Sequence, residues 1–185
     1  MTRGVILYGP PASGKDTITT ALSQLDPAYQ LFRRLKVGPG RQTGYRMTTT
    51  AHIDRLRAAG QIVWENSRYS ATYVVDREGL NHALHDGTPI VHLGQSAARA
   101  AICAATPQTA WLVVSLWCPR EVAAERLAAR GAADIPDRLA AWDATENLRT
   151  PDLMIDTSEV TATNAAQIIH SRRQRHSLAT LEPPC

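Results

Sequence analysis

Gly9-Pro10-Pro11-Ala12-Ser13-Gly14-Lys15-Asp16-Thr17 brings two glycines, a lysine and short polar side chains into one turn near the amino terminus. Glycines let the backbone wrap so that its N–H groups point inward at phosphate oxygens. Lys15 can carry a positive charge to the β- and γ-phosphates. The apolar run Gly4-Val5-Ile6-Leu7-Tyr8 precedes the turn and Ile18-Thr19-Thr20-Ala21-Leu22 follows it. Strand, glycine-bounded loop, Lys and helix in that order make a phosphate-binding P-loop, and the helix opening near Gly14 adds its positive dipole end. The expected ligand is a nucleoside triphosphate, cradled by Gly9, Pro10, Ala12, Ser13, Gly14, Lys15, Asp16 and Thr17, with Thr17 placed for the α-phosphate. Asp16 stands where a Ser or Thr usually holds Mg²⁺. A carboxylate suits that hard cation, directly or through water; an acid in a first helical turn is also favoured by the dipole alone.

A second set of charges lies far along the chain. Arg126 and Arg130 are four residues apart and share one helix face. Arg138 follows across Gly131-Ala132-Ala133-Asp134, a flexible break that lets a lid swing. Arginine forks match phosphate oxygens bidentately; the bland alternative is solvated arginines paired with Glu121, Glu125 or Asp134. A third set, Lys36, Arg41 and Arg46 with Tyr45 and Tyr69, occupies a stretch broken by Gly38-Pro39-Gly40. It suits an acceptor that already carries phosphate, against the alternative of a scattered surface charge run. Glu65 can read a base or hold a sugar hydroxyl, and its neighbours Asn66 and Arg68 can share either task. His92, inside an apolar strand, reads as a packed core histidine, and the four tryptophans read mostly as core.

These groups need elements to position them. Buried strands are expected at 89–93, 111–116 and 153–156, alternating with helices at 96–105, 121–129, 137–147 and 163–173. That alternation implies an α/β fold, a parallel sheet flanked by helices on both faces. Ligands in such a sheet sit at the carboxyl ends of the strands, which gathers Gly9, Gly94, Trp117-Cys118 and Asp156-Thr157 around one crevice. Residues 1–176 are read as one domain, with a core of 1–30 and 88–176, an acceptor-binding subdomain at 31–87 and a lid at about 126–142. Residues 177–185 read as a loose tail.

Composition narrows the classes further. A formal charge of +3 over 185 residues is too weak to argue for nucleic acid. Three cysteines without CxxC spacing argue against a disulfide framework or zinc site and fit a reducing cytoplasm. No leader and no apolar run of membrane-spanning length is recognised. The expectation is a cytoplasmic protein with a small anionic phosphorylated partner, no nucleic acid and no membrane. Monomer and homodimer stay equally open.

With these parts in place, the chain resembles the guanylate-kinase group of P-loop kinases, and within it the ribose 1,5-bisphosphate phosphokinase branch. The resemblance rests on Gly9 to Thr17 with its Gly-Lys-Asp-Thr, and on Leu56-Arg57-Ala58-Ala59-Gly60 with Val63-Trp64-Glu65 and Arg68-Tyr69. It extends to Arg126-Leu127-Ala128-Ala129-Arg130-Gly131 with Arg138-Leu139, and to Asp152 through Ser158. It covers most of 4–172. Asp16 after the lysine, and Gly94 where guanylate kinases carry an acid, are similar to the bisphosphate branch. The arginine-proline acceptor motif is absent and the loop between Gly60 and Tyr69 is short. The resemblance implies an ATP- and Mg²⁺-dependent phosphotransferase, with Lys15, Arg126, Arg130 and Arg138 at the reacting phosphates and Asp156-Thr157 beside the adenine. It implies Lys36, Arg41, Tyr45, Arg46, Glu65, Arg68 and Tyr69 around a nucleoside monophosphate or ribose bisphosphate. A non-catalytic nucleotide-binding or protein-interaction module of the same fold is the alternative.

Overall fold

The computed structural model describes residues 2–68, 70–132 and 134–179. The run Gly4 to Tyr8 lacks alternation because its strand, β1 (Thr2–Tyr8), is covered on both faces. It pairs in parallel with β7 (Thr88–Leu93) on one side and β8 (Thr109–Trp117) on the other. Beyond them lie β2 (Tyr29–Leu31) and β9 (Leu153–Asp156), giving a five-stranded sheet in the order β2-β7-β1-β8-β9.

Successive side chains of β1 point to opposite faces. Val5 and Leu7 join Ile18 and Leu22 of α1 (Lys15–Leu25) and Ala165, Ala166 and Ile169 of α7 (Ala162–Ala179). Ile6 and Tyr8 face Leu80 and Leu84 of α3 (Arg77–Asp86) and Ala98 and Ile102 of α4 (Ser96–Ala105). At Gly4 the backbone passes so close to Trp111 that a Cβ would lie 2.2 Å from its ring.

Residues 35–76 carry a second sheet in the order β4-β3-β6-β5. Its strands are β3 (Leu35–Val37), β4 (Arg46–Met47), β5 (Ile62–Arg68) and β6 (Ala71–Asp76). β5 and β6 form an antiparallel hairpin, and β3 lies antiparallel to β6. Helix α2 (Thr50–Ala58), capped by the Thr49 side chain accepting from the His52 amide, seats Ile53 on Leu35 and Val74. The two remaining helices, α5 (Arg120–Ala129) and α6 (Ile135–Asp143), flank the crevice.

Four elements depart from the sequence reading. β3 and β4 escape it because the cationic, glycine-broken stretch has no two-residue apolar period. α6 stops at Asp143 rather than Asn147, since 144–148 turns to bury Leu148 and present the Glu146 carbonyl to the Tyr8 hydroxyl at 2.7 Å. α7 continues through 177–179, where the tail was expected to begin; residues 180–185, with Cys185, lie outside the described residues.

Candidate active site

The turn after β1 is held by backbone geometry that its glycines permit. Gly14, at the N-cap of α1, has a left-handed φ of 86°, and a Cβ at Gly9 would stand 2.3 Å from the Leu116 carbonyl oxygen. Ser13 is fully buried beneath the loop. Lys15 folds back over this turn, and its Nζ donates to the Gly9 carbonyl at 2.6 Å, the Pro10 carbonyl at 2.7 Å and Ser13 Oγ at 3.2 Å. Burial, reinforced by the charges of Arg34 and Arg130 and opposed by Asp16, lowers the Lys15 pKa to about 8. Three neutral oxygens therefore hold the ammonium directly, and Asp16 is the one acid of the turn that bears on its charge.

Asp16 sits half-exposed at the edge of the loop. Its Oδ2 accepts from Arg41 at 2.7 Å, and its Oδ1 lies 3.5 Å from His92 Nδ1. Burial is the largest influence and opposes its ionisation, but the Arg41 hydrogen bond together with the surrounding positive charges, those of Arg41 and Lys15 among them, holds the carboxyl below its ordinary value. His92 is displaced further: burial first, then the Lys15 charge, push its pKa down to about 3. The ring is thus neutral at physiological pH, and its contact with Asp16 is not an ion pair. Its Nε2 meets Thr19 Oγ1 at 2.7 Å. His92 is packed, as its apolar strand suggested, and it also forms part of the cavity floor beneath Asp16.

Around the loop opens a cavity of about 1150 Å³. Its walls carry eight cationic side chains, Lys15, Arg34, Lys36, Arg41, Arg68, Arg126, Arg130 and Arg138, against three acids, Asp16, Asp134 and Asp137. A low-dielectric cleft with that imbalance concentrates polyanions. Drug-sized ligands fill clefts of about 300–1,000 Å³, so this one has room for two adjoining ligands.

The three arginines of the far segment differ in their engagements. Arg126 donates to the Ala12 carbonyl at 3.1 Å, to Thr157 Oγ1 at 2.9 Å and to the Thr157 carbonyl at 2.6 Å, tying α5 to the loop and to the end of β9. Arg138 pairs with Asp134 at 2.6 Å. Arg130 borders the cavity, and burial together with the Arg138 charge lowers its pKa. Thr17 and Thr157 also line the cavity. Asp156 does not; its Oδ1 accepts from the Ser158 amide at 2.8 Å and the Ser158 hydroxyl at 2.5 Å. Pro10 likewise stays off the wall and contributes only its carbonyl to Lys15.

On the second-sheet side, Lys36 is buried, and burial lowers its pKa. Its Nζ donates to the Pro39 carbonyl at 2.6 Å and the Arg41 carbonyl at 2.7 Å, pinning the glycine-broken loop that carries Arg41 across to Asp16. Arg34 lies over the Tyr45 and Tyr73 rings at 5.9 and 5.3 Å, a cation–π seat that leaves its fork facing the cavity wall. Tyr45 and Arg68 line the cavity as the sequence reading placed them.

Arg46 and Glu65 are not brought to the cavity. Arg46 donates to the Arg33 carbonyl and pairs with Asp76, a buried carboxylate that also caps α3 and needs a cation. Glu65 lies on the outer face of β5, where Arg57 donates to it at 2.8 and 3.1 Å. Tyr69 lies outside the described residues. The alternation that turns Glu65 out turns Trp64, Asn66 and Arg68 in. Trp64, taken as core, and Arg34 and Tyr73, given no role, are cavity residues that the sequence reading missed. Counted back from Arg68, past the register shift between Ile62 and Trp64, the two-residue period of β5 was the available signal for Trp64.

Among the described residues no group of three or more His, Cys, Asp or Glu side chains stands ready for a metal ion. Mg²⁺ commonly takes one or two protein carboxylates and completes its shell with water and substrate phosphates, and Asp16 beside the phosphate loop fits that partial set. Also among the described residues, no helix is long and apolar enough to cross a membrane.

No protein-family model matches the chain, and neither does any curated protein. Its fold does match solved structures. A guanylate kinase from Anaplasma phagocytophilum superposes with a TM-score of 0.61 at 13% identity, over 95% of this chain and 86% of that one. A gluconokinase from Sinorhizobium meliloti 1021 superposes with a TM-score of 0.59 at 14% identity, over 98% of each chain. The chain therefore shares the α/β fold of these solved structures, a parallel sheet flanked by helices.

Proposed function

We propose that this chain is an ATP-dependent small-molecule kinase that passes the γ-phosphoryl group to an acceptor already carrying phosphate, of the ribose bisphosphate or nucleoside monophosphate type. One observation carries the reading. A single cavity joins the phosphate loop on one wall to the cationic face of a second sheet on the other, with the arginines of α5 and α6 alongside. Phosphoryl transfer needs alignment and positive charge more than covalent help, and that is what these walls offer.

In this reading 1–30 and 88–176 form the nucleotide-binding core, 31–87 the acceptor side and about 126–142 a lid. The β- and γ-phosphates draw Lys15 Nζ away from the Gly9 and Pro10 carbonyls, exchanging neutral acceptors for anionic ones. Asp16 would hold Mg²⁺, which would supply further positive charge at the reacting phosphates. Arg130 and Arg138 disperse charge around the transferring group, while Arg126 fixes the loop and Thr157 in place. A phosphate acceptor is already an anion at neutral pH and needs no general base, which agrees with a neutral His92 engaged by Thr19.

Within the class, the position of Glu65 weighs against a guanine read by a carboxylate, since that side chain is turned away and paired with Arg57. The test is ADP release from ATP and Mg²⁺ with GMP, other nucleoside monophosphates, ribose 1,5-bisphosphate and gluconate offered in turn. Turnover of a phosphorylated acceptor, lost in Lys15→Ala, is expected. ATP binding with no turnover across the panel would refute the kinase reading in favour of a nucleotide-binding module.

A further inference from the structure

Two polar atoms in the cavity lie buried with no partner: the indole N–H of Trp64 and the side-chain carbonyl oxygen of Asn66. Most buried polar atoms in folded proteins are hydrogen-bonded, so each exception calls for an explanation. These two share more than their isolation. They are two residues apart on β5, hence on one face and about 7 Å apart along the strand, and both side chains line the same cavity. One is a donor only and the other an acceptor. Trp64 is further fixed by packing against the core beneath α4, so its N–H cannot easily turn to another partner.

We infer that Trp64 and Asn66 are the specificity determinants of the acceptor: they read a neutral group presenting a hydrogen-bond acceptor and a donor side by side. This rests on the reading that the second-sheet side of the cavity binds the acceptor. A phosphomonoester dianion or a carboxylate does not meet the need, because its ionised oxygens can take the Trp64 proton but have none to give Asn66. The anionic parts of the acceptor go instead to Arg34, Arg41 and Arg68, which line the same wall. Two sources supply the neutral chemistry. Sugar hydroxyls both give and accept protons, and a nucleobase edge can place an N–H beside a carbonyl. The pair thus selects an acceptor with a charged end and a neutral polar end over a bare polyanion.

The test is equilibrium binding, which does not depend on turnover. Calorimetric titrations of ribose 5-phosphate, ribose 1,5-bisphosphate, GMP and inorganic phosphate are run on the whole chain and on Trp64→Phe and Asn66→Leu. At least one of the three organic phosphates should bind more tightly than inorganic phosphate. Each substitution should weaken that ligand by about 10-fold, the scale of one lost hydrogen bond in a desolvated site, and leave inorganic phosphate and ATP-analogue binding unchanged. A ribose phosphate that responds identifies sugar hydroxyls; GMP alone responding identifies a base edge. Asn66→Leu should leave the ligand-free melting temperature unchanged or raise it by about 2–4 °C, whereas a merely structural Asn66 predicts a fall. Organic phosphates that bind no better than inorganic phosphate, or equal binding to folded variants and wild type, would overturn the inference. ADP release that never occurs, with these binding differences intact, would overturn only the kinase reading.

Discussion

Lys15 makes the proposed nucleotide site measurable through protons. Its Nζ is held by two carbonyls and a hydroxyl and titrates at about 8, against an ordinary value of 10.5. Nucleotide phosphates would replace those neutral oxygens with anionic ones and favour the charged form. At pH 8 the free protein carries about half a proton there, so binding should take up about half a proton at pH 8, approaching one by pH 9.5 and vanishing near pH 6.5. Affinity should accordingly fall by about 15-fold between pH 8 and 9.5. Titration of a non-hydrolysable ATP analogue in two buffers of different ionisation enthalpy gives the uptake directly. Lys15→Arg is the control, because a guanidinium keeps its charge throughout. The same asymmetry reaches stability. Between about pH 8 and 10.5 the unfolded chain keeps a proton that the folded one has lost, so the free protein becomes more stable as pH rises through that window. Below about 8 both states are protonated and the slope disappears. The full gap corresponds to at most about 3 kcal/mol, read as the difference in urea denaturation between wild type and Lys15→Met. Equal proton uptake by wild type and Lys15→Arg would refute the argument.

Other perturbations separate the parts of the molecule. Arg130→Ala should lower kcat by about 10²- to 10³-fold with little change in nucleotide KM, the expected cost of one transition-state donor, measured by ADP release. Asp16→Asn should raise the Mg²⁺ concentration for half-maximal rate at least about 10-fold, and metal-free nucleotide binding should hold steady or tighten as a negative charge is removed. Asp76→Ala strands Arg46 and uncaps α3, so chemical denaturation should show a loss of about 3–5 kcal/mol. Gly4→Ala drives a methyl group into the Trp111 ring, whose Nε1 is pinned to Thr106 Oγ1 at 2.9 Å. The ring cannot swing aside without breaking that bond, and a loss of about 1–3 kcal/mol should follow.

The parts of this chain that were legible in its sequence are those in which one local rule decides. Apolar runs at 4–8, 89–93 and 111–116 could only be strands buried on both faces, and the glycine spacing around Lys15 could only be a tight turn. Two helices follow side-chain caps: Thr49 starts α2 and Asp76 starts α3, each accepting a hydrogen bond from a first-turn amide. The second sheet obeys no such rule. β3 and β4 are three and two residues long, too short for a period to declare itself, and β3 exists because Leu35 and Val37 find the antiparallel face of β6.

Side-chain direction on β5 shows why the second-sheet side of the cavity was the harder half. Reading residue types alone, a carboxylate beside an amide is the stronger candidate for a binding site, and Glu65 outranks Trp64 and Asn66. Direction in a strand is set by parity, and a displacement of one position exchanges the two faces. The register shift between Ile62 and Trp64 fixes that parity after the strand has begun, so counting from its start misassigns it. Arg57, in the last turn of α2, then gives Glu65 a partner on the outer face, which removes any need for the carboxylate to turn inward. Parity turned Glu65 outward, where Arg57 satisfies it, and left an indole N–H and an amide oxygen facing the cavity without partners of their own. A site recognised by what its atoms lack can be seen only once the fold has settled which atoms are already satisfied.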